Sequence, residues 1–518
     1  MSLQTTSLIG QIPDDLGGRI ALIEGVIHIS QELQGKATLE SFISLARRRG
    51  AVQIEWHTPS DFDVMFRGLA AFDPSKSSEV QAYAKRLLQD AYERGASDIH
   101  LTNYGAYGTI QMRRLGLLHD YGQLAADEAP KLIRVIYDTL SSAADSTFSA
   151  KCRQDGRIVT REYLPPDVHS VRIHTEPLEC SQAKDGNGTF MALRLLYDST
   201  QARGTLEERV TALGYTEDDA GRLRFLTQRT GATIISGPTG HGKSTLLKHV
   251  MESMASENPE RNHMSVEDPP EYPLRGVKQI LVSTNGNGSS DPGERGRAYL
   301  NAIAGCMRSD PDVLMIGEIR YPEAAGAVID AALTGHGVWA TLHANNGFGI
   351  IRRMVSLLNA AQFVNPLEYL CDHNVLAGLI YQRLVPELCP QCAVPLSESV
   401  KTPFALPSPV MDRLMRVLDD LDGVKVRGAG CDHCRKLGIV GQRVAAEVIQ
   451  TDPTLLSFLR RDEFPKAEEY WRKELHGRSY VRHAVDLINQ GLVDPHLAEL
   501  RLGVPLDFDK AHEARAGA

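Results

Sequence analysis

Gly237, Gly240, Gly242, Lys243 and Ser244 fall within the run Gly237-Pro238-Thr239-Gly240-His241-Gly242-Lys243-Ser244, with Thr245 directly after it. Residue types in that spacing suit one task, which is holding a polyphosphate. The glycines let successive backbone N–H groups turn inward onto the anion, and a helix starting there aims its positive end at the same place. Lys243 would neutralise the β and γ phosphates of ATP, and the Ser244 hydroxyl would ligate Mg²⁺. Such a loop needs a strand before it and a helix after it. Residues 232–236 are apolar and β-rich, and residues 245–254 carry a helix-like pattern.

Carboxylates supply the next candidates. A strand-like run, 263–266, ends in Glu267, Asp268 and Glu271, and open α/β sheets gather ligand groups at that edge. A second apolar run, 313–316, is followed by Gly317 and Glu318. Many P-loop enzymes place a magnesium-holding aspartate where this chain has Gly317, so the metal's carboxylate is expected from Glu267, Asp268 or Glu271. Glu318 is then free to polarise the attacking water as general base. A purely structural Glu318 is the weaker reading, because a carboxylate beside a buried strand is costly without a partner.

His336 and His343 flank the apolar run 338–342. They read either as packed core histidines or as sensors that couple loss of the γ-phosphate to movement. Arg113, Arg114, Arg157, Arg172 and Arg194 lie in β-like runs between residues 110 and 196. Each reads alone as a solvated strand position. Together, two or three of them could serve as arginine fingers, supplied across a domain or subunit boundary to the transferring phosphoryl group.

Four of the eight cysteines form two CxxC pairs, Cys389/Cys392 and Cys431/Cys434; Cys152, Cys180, Cys306 and Cys371 are scattered. Two such turns close a tetrahedral S₄ site that suits structural Zn²⁺, with residues 395–426 looped out between them. A closed site leaves no open position, so the expected metal is not catalytic.

These groups need elements to position them. A chain of 518 residues, 42% hydrophobic and 23% charged, has room for about three or four domains. The reading is α/β: a small α/β domain over 1–75, an α+β domain over 76–204, the P-loop domain over 205–384, a tetracysteine element over 385–450 and a helical region over 451–518. The first boundary rests on the polar stretch 71–79, and the glycine-rich stretch 283–297 reads as a mobile loop. A helix is expected over 410–421. A net charge of −9 gives no overall pull toward nucleic acid or anionic lipid. No run approaches the roughly 18 apolar residues of a spanning helix, and the first residues lack a signal-peptide pattern. A cytoplasmic protein with only peripheral membrane contact is expected.

With these residues laid out, the chain resembles the secretion ATPase superfamily, the motors of type II secretion and type IV pilus systems. The likeness covers roughly residues 80–450 and rests on ASDIHL (96–101), GPTGHGKST (237–245), VEDPPEY (266–272), DPDVLMIGEIR (310–320), TGHGVWATLHAN (334–345) and QRL (382–384). The resemblance implies a RecA-like P-loop domain preceded by a PAS-like α+β domain, with a zinc element and a helical cap. It implies a homohexamer whose hydrolysis pushes on an inner-membrane platform protein and the pilin machinery, which would bring the chain to the inner membrane through its partners. It also makes Arg172 and Arg194 the better finger candidates. The tetracysteine element followed by the GxxGQRVAAEV segment (438–448) is similar to the pilus-extension and secretion branch, whereas retraction motors generally lack it. The chain departs from the family's pattern at Gln111, Leu115 and Tyr321, where an arginine and two aspartates are usual, and its small N-terminal domain matches no longer recruiting domain. These departures suggest a divergent member, such as one from a conjugation-associated pilus. The alternative from another class is a RecA-like nucleic-acid translocase with a zinc element. That reading needs a basic channel lining, and no lysine-rich loop supplies one.

Overall fold

The computed structural model describes residues 16, 19–23, 26–48, 53–59, 62, 76–144, 147–180, 187–197, 204–282, 292–400 and 402–509. The expected boundary at 71–75 and the first part of the glycine-rich stretch, 283–291, lie outside the described residues. The chain forms two compact units, Met1–Ser199 and Thr200–Ala518. Among the described residues no helix is long and apolar enough to cross a membrane.

The first unit begins with a three-stranded sheet of β1 (Ile20–Ile23), β2 (Val26–Ser30) and β3 (Gln53–His57), order β1-β2-β3, crossed by helix α1 (Ala37–Arg48). Helix α2 (Ser77–Glu93) leads into a second sheet made of β4 (Ala96–Asn103), β5 (Tyr107–Arg114), β6 (Leu117–Ala125), β7 (Ala143–Ala144), β8 (Gln154–Ile158), β9 (Val168–Glu179) and β10 (Asn187–Tyr197). Its order is β6-β5-β4-β10-β9-β8-β7, antiparallel throughout. Helices α2 and α3 (Glu128–Val135) bury one face, with Leu87 and Leu132 packed on Ile99, Ile173 and Leu193. Alternating residues point the other way, as the pleat requires. The sequence reads 110–118 as one run, but the chain turns inside it at Leu115 (φ 49°) and Gly116 (φ 81°) and makes a hairpin. Leucine is poorly suited to a left-handed backbone, where the aspartate usual in the resembling family is better tolerated.

In the second unit the strands β11 (Gly231–Ser236), β12 (His263–Glu267), β13 (Lys278–Leu281), β14 (Val313–Ile316), β15 (Gly337–Leu342) and β16 (Leu376–Leu388) run parallel in the order β13-β12-β14-β15-β11-β16. The short hairpin β17 (Val394–Pro395) and β18 (Lys425–Val426) belongs to the tetracysteine element, and β19 (Ile439–Gln450) adds an antiparallel edge against β16. Both faces are covered, which is why the central strands read as unbroken apolar runs. Ile235, Met315 and Trp339 pack against α4 (Leu206–Leu213), α5 (Glu217–Thr227) and α6 (Lys243–Glu257). Ile234, Leu314, Ile316 and Ala340 pack against α7 (Pro292–Met307), α8 (Pro322–Leu333) and α9 (Gly347–Ala360).

The helices expected as a cap do more than cover an end. Leu455 and Leu459 of α10 (Pro453–Arg460) and Trp471 of α11 (Phe464–Lys473) belong to the same core as β11 and β15. Tyr480 and Val485 of α12 (Tyr480–Asn489), with Ala498 of α13 (Pro495–Leu502), pack on Tyr381 and Val385 of β16. The helix expected over 410–421 is shorter, Ser408–Val417, with Leu418 already extended.

One buried acid in this packing makes stability depend on pH. Glu447 of β19 accepts from the backbone N–H of Gly347 (2.6 Å) and of Tyr480 (3.4 Å), joining the starts of α9 and α12. Burial pushes its carboxyl up to about 7 despite those donors. A carboxyl raised by folding contributes stability below its unfolded value and loses it as pH climbs through the folded one. On this group's account the second unit is less stable at about pH 8 than at about pH 5 by roughly 2–3 kcal/mol. Glu447→Gln is expected to flatten that slope in urea unfolding at the two pH values; an unchanged slope would mean the acid is already ionised in the fold.

Candidate functional site

The phosphate-binding loop leaves the C-terminal end of β11 and enters α6 in the required order. Gly237 sits at φ 153°, and a side chain there would collide with the Gln382 carbonyl at 2.3 Å. Gly240 and Gly242 are left-handed, at φ 76° and 78°, with Gly242 capping α6. Pro238, Ser244 and Thr245 are half-buried, and Thr239 and Gly240 are exposed. The Lys243 amine donates to the carbonyls of Gly237 (2.7 Å) and Pro238 (3.0 Å), so the lysine reaches back under its own loop. Burial lowers that amine to about 8, with Glu318 and Glu271 pulling the other way.

The loop is held from β16 by residues to which sequence reasoning gave no such role. Gln382 donates to the His241 carbonyl (2.6 Å) and accepts from the Tyr215 hydroxyl (2.5 Å), while the Leu384 N–H donates to His241 Nδ1 (2.9 Å). His241 is therefore an uncharged acceptor, and burial with Arg501, Arg383 and Lys243 nearby holds its pKa down to about 4. QRL was legible as a motif; that its glutamine clamps a loop 141 residues earlier was not.

Glu318 emerges just past β14 and meets the loop through His343. His343 Nδ1 donates to the Gly237 carbonyl at 3.0 Å, and its Nε2 lies 3.3 Å from Glu318 Oε1. Arg320 holds the other Glu318 oxygen at 2.7 Å. Burial pushes the Glu318 carboxyl up, but Arg320, His343 and Lys243 outweigh it and hold it below the usual carboxylate range. Tyr299 of α7 accepts from the Glu318 N–H (3.3 Å) and donates to the Val266 carbonyl (3.2 Å), tying this turn to β12. Glu267, at the end of β12, accepts from Ser265 (2.8 Å) and Gln279 (2.9 Å), while burial raises its pKa. Its side chain fills the space a Cβ at Gly317 would reach at 3.3 Å, so Gly317 and Glu267 fit one another. Asp268 and Glu271 follow, half-buried.

His336 sits elsewhere. It precedes β15, where His343 follows it, so about 20 Å of strand separates them. His336 Nδ1 bonds the Ala331 carbonyl and Thr334 at the end of α8, which fits the hydrogen-bonded of its two readings and leaves His343 as the histidine beside the loop.

The arginines of the first unit form a rank. Arg113, Asp98, Arg194, Arg172 and Arg157 are successive register partners across β5, β4, β10, β9 and β8. Register partners share a face, here the one turned away from α2 and α3. Asp98 pairs with Arg194 at 2.8 Å, and Arg157 bonds Ser170. Arg113 is engaged by the Gly116 carbonyl, and Arg114 bonds the Arg94 carbonyl.

The two CxxC turns meet because β16 and β19 are antiparallel neighbours: Leu388 pairs with Ile439, so both turns fall at one end of the ladder. The Sγ–Sγ separations Cys389–Cys431, Cys392–Cys434 and Cys431–Cys434 are each 3.8 Å. A tetrahedral zinc with Zn–S bonds of about 2.3 Å needs sulfur edges of about 3.8 Å, so the set fits. The N–H groups of Cys431 and Gly438 also donate to Cys434 Sγ, both at 3.1 Å, as suits a thiolate.

With this geometry in view, comparison with known proteins is specific. The family profile described as "Type II/IV secretion system protein" matches residues 73–501. The chain is 30% identical over 421 residues to the type II secretion system protein E of Aeromonas hydrophila, covering 81% of this chain and 75% of that one. It is 29% identical over 385 residues to the type II secretion system ATPase E of Vibrio cholerae, covering 74% and 67%. It is 27% identical over 437 residues to the type IV pilus assembly ATPase PilB of Thermus thermophilus, covering 84% and 42%. Among solved structures, the Legionella pneumophila ATPase DotB superposes with a TM-score of 0.57 at 17% identity, covering 82% of this chain and 96% of that one. The pilus retraction motor PilT superposes with a TM-score of 0.51 at 21% identity, covering 82% and 98%. These two likenesses bear on the fold.

Proposed function

The chain belongs to the type II/IV secretion system protein family and is an ATPase, and we propose that it is a hexameric motor either for type IV pilus assembly, such as that of a conjugation-associated pilus, or for type II-like secretion. The observation that carries this reading is the meeting of Lys243, His343 and Glu318 around one glycine loop, with His343 touching both Gly237 and Glu318.

In this reading the loop amides and Lys243 bind the β and γ phosphates of ATP. Glu318 orients a water and takes its proton as the water oxygen bonds the γ-phosphorus; the bond to the β-phosphate oxygen breaks, leaving ADP and phosphate. Ser244, with Glu267 and Glu271, offers the hard oxygen donors that Mg²⁺ prefers, and the ion when bound neutralises charge on the β and γ oxygens. His343 links the loop to Glu318, so loss of the γ-phosphate would be felt at both. Arg172 and Arg194, carried on a sheet read as the PAS-like domain of the family, serve as fingers on nucleotide held by a neighbouring subunit. The tetracysteine element holds structural Zn²⁺ and keeps the end of the β16–β19 ladder closed. The motor's force passes to an inner-membrane platform protein and the pilin machinery.

Steady-state phosphate release, run beside light scattering with and without nucleotide and with added DNA, tests the reading. Hexamers with DNA-independent turnover are expected. A monomer whose turnover requires DNA, with a steep loss of stimulation as salt rises, would replace it with the translocase.

A further inference from the structure

The small N-terminal sheet carries a second donor cluster that the motor does not use. In the parallel pair β2 and β3, His28 is the register partner of Glu55, and His57 lies two residues on from Glu55, hence on the same face. The opposite face sends Ile27 and Ile29 into a local core with Leu33, Leu39 and Phe42, so the three polar side chains share the outer face. There His28 Nδ1 lies 3.0 Å from His57 Nε2 and 3.3 Å from Glu55 Oε2, and His57 Nε2 lies 3.9 Å from the same oxygen. A triangle with those sides has its centre about 2.0 Å from all three atoms, matching zinc bonds of about 2.0–2.2 Å to nitrogen and oxygen. The two imidazole nitrogens now share a hydrogen bond, and an ion bound between them would take the place of its proton.

We propose that His28, Glu55 and His57 form a site for a first-row divalent transition ion, Zn²⁺ above all, separate from the tetracysteine site. Two imidazoles select against Ca²⁺ and Mg²⁺, which prefer all-oxygen shells, and three protein ligands leave at least one position open to water or a further ligand. The cluster precedes the residues matched by the family profile, so it is a feature of this chain's own N-terminal domain. An ion joining His28 to His57 would close a 29-residue span across β2, α1 and β3.

The test counts ions on the full-length chain. Equilibrated with Zn²⁺ and then desalted, the wild type is expected to hold two zinc ions per chain, His57→Ala one, and Cys431→Ser one. Cobalt distinguishes the two sites. In Cys431→Ser the remaining Co²⁺ should show visible d–d bands with no thiolate charge-transfer band, and adding His57→Ala should abolish them. Glu55→Gln, which keeps the shape of the strand face, should weaken Zn²⁺ binding by about tenfold or more. Unchanged ATP binding in each variant reports that the chain is folded. One zinc per wild-type chain, or two retained in His57→Ala, would overturn the site.

Discussion

Glu318→Gln is expected to bind ATP about as tightly as the wild type and to turn it over at least about 100-fold more slowly, the cost of losing a positioned general base. Glutamine keeps the size of the side chain and one acceptor oxygen for Arg320, and its amide N–H can face His343 Nε2, so the fold is not at issue. What disappears is the charge and the ability to accept a proton. Arg320, His343 and Lys243 hold the Glu318 carboxyl below the usual range, so the base is ionised throughout the neutral pH region and no titration of this group should appear there in the wild-type rate. The lowered pKa makes Glu318 a modest base, and its contribution must come mainly from holding water in line while charge develops. Single-turnover phosphate release beside the affinity for a fluorescent nucleotide separates the two quantities. A rate within about tenfold of wild type would remove Glu318 from the chemistry and shift attention to Glu267 and Glu271.

The parts of this site that were legible in the sequence are those whose chemistry is local. The loop 237–245 announces itself because glycine, lysine and serine must follow one another closely to wrap a phosphate. Glu318 was legible because a carboxylate just beyond a buried strand has little else to do. The CxxC pairs were legible as ligands, although their convergence depends on the long β16–β19 ladder. The parts that stayed hidden are set by register and by distant pairing. Nothing in Tyr215 alone says that its hydroxyl supports Gln382, 167 residues away. The arginines were visible one at a time, but their alignment in a rank with Asp98 follows from the pairing of five strands. His28, Glu55 and His57 form no local pattern, since Glu55 lies 27 positions after His28 and only the parallel register brings them together. His336 and His343 could not be told apart in the sequence, which shows two histidines flanking a strand without showing which end faces the loop.

Lys243→Ala should abolish turnover and weaken nucleotide binding by at least about 100-fold. Two effects add. The first is the lost attraction: charge-assisted hydrogen bonds from an ammonium to phosphate contribute about 1.5–3 kcal/mol each, and about 2.7 kcal/mol already corresponds to 100-fold. The second lies in the loop. The amine spans the carbonyls of Gly237 and Pro238, and Gly237 also accepts from His343. Removing the lysine leaves Pro238 without that donor and loosens the backbone that must present its N–H groups to the anion. The clamp of Gln382 and Leu384 on His241 is untouched, so the loop should stay docked on β16 and the variant should fold. Zinc content and unfolding midpoint serve as the folding controls, because the tetracysteine turns begin beyond Leu388 and Lys243 makes no contact with them. Loss of binding with both controls unchanged places the defect at the phosphates. Turnover equal to wild type would sink the phosphate-loop assignment, and with it the reading of Glu318 and His343, since both derive their roles from a nucleotide held at that loop.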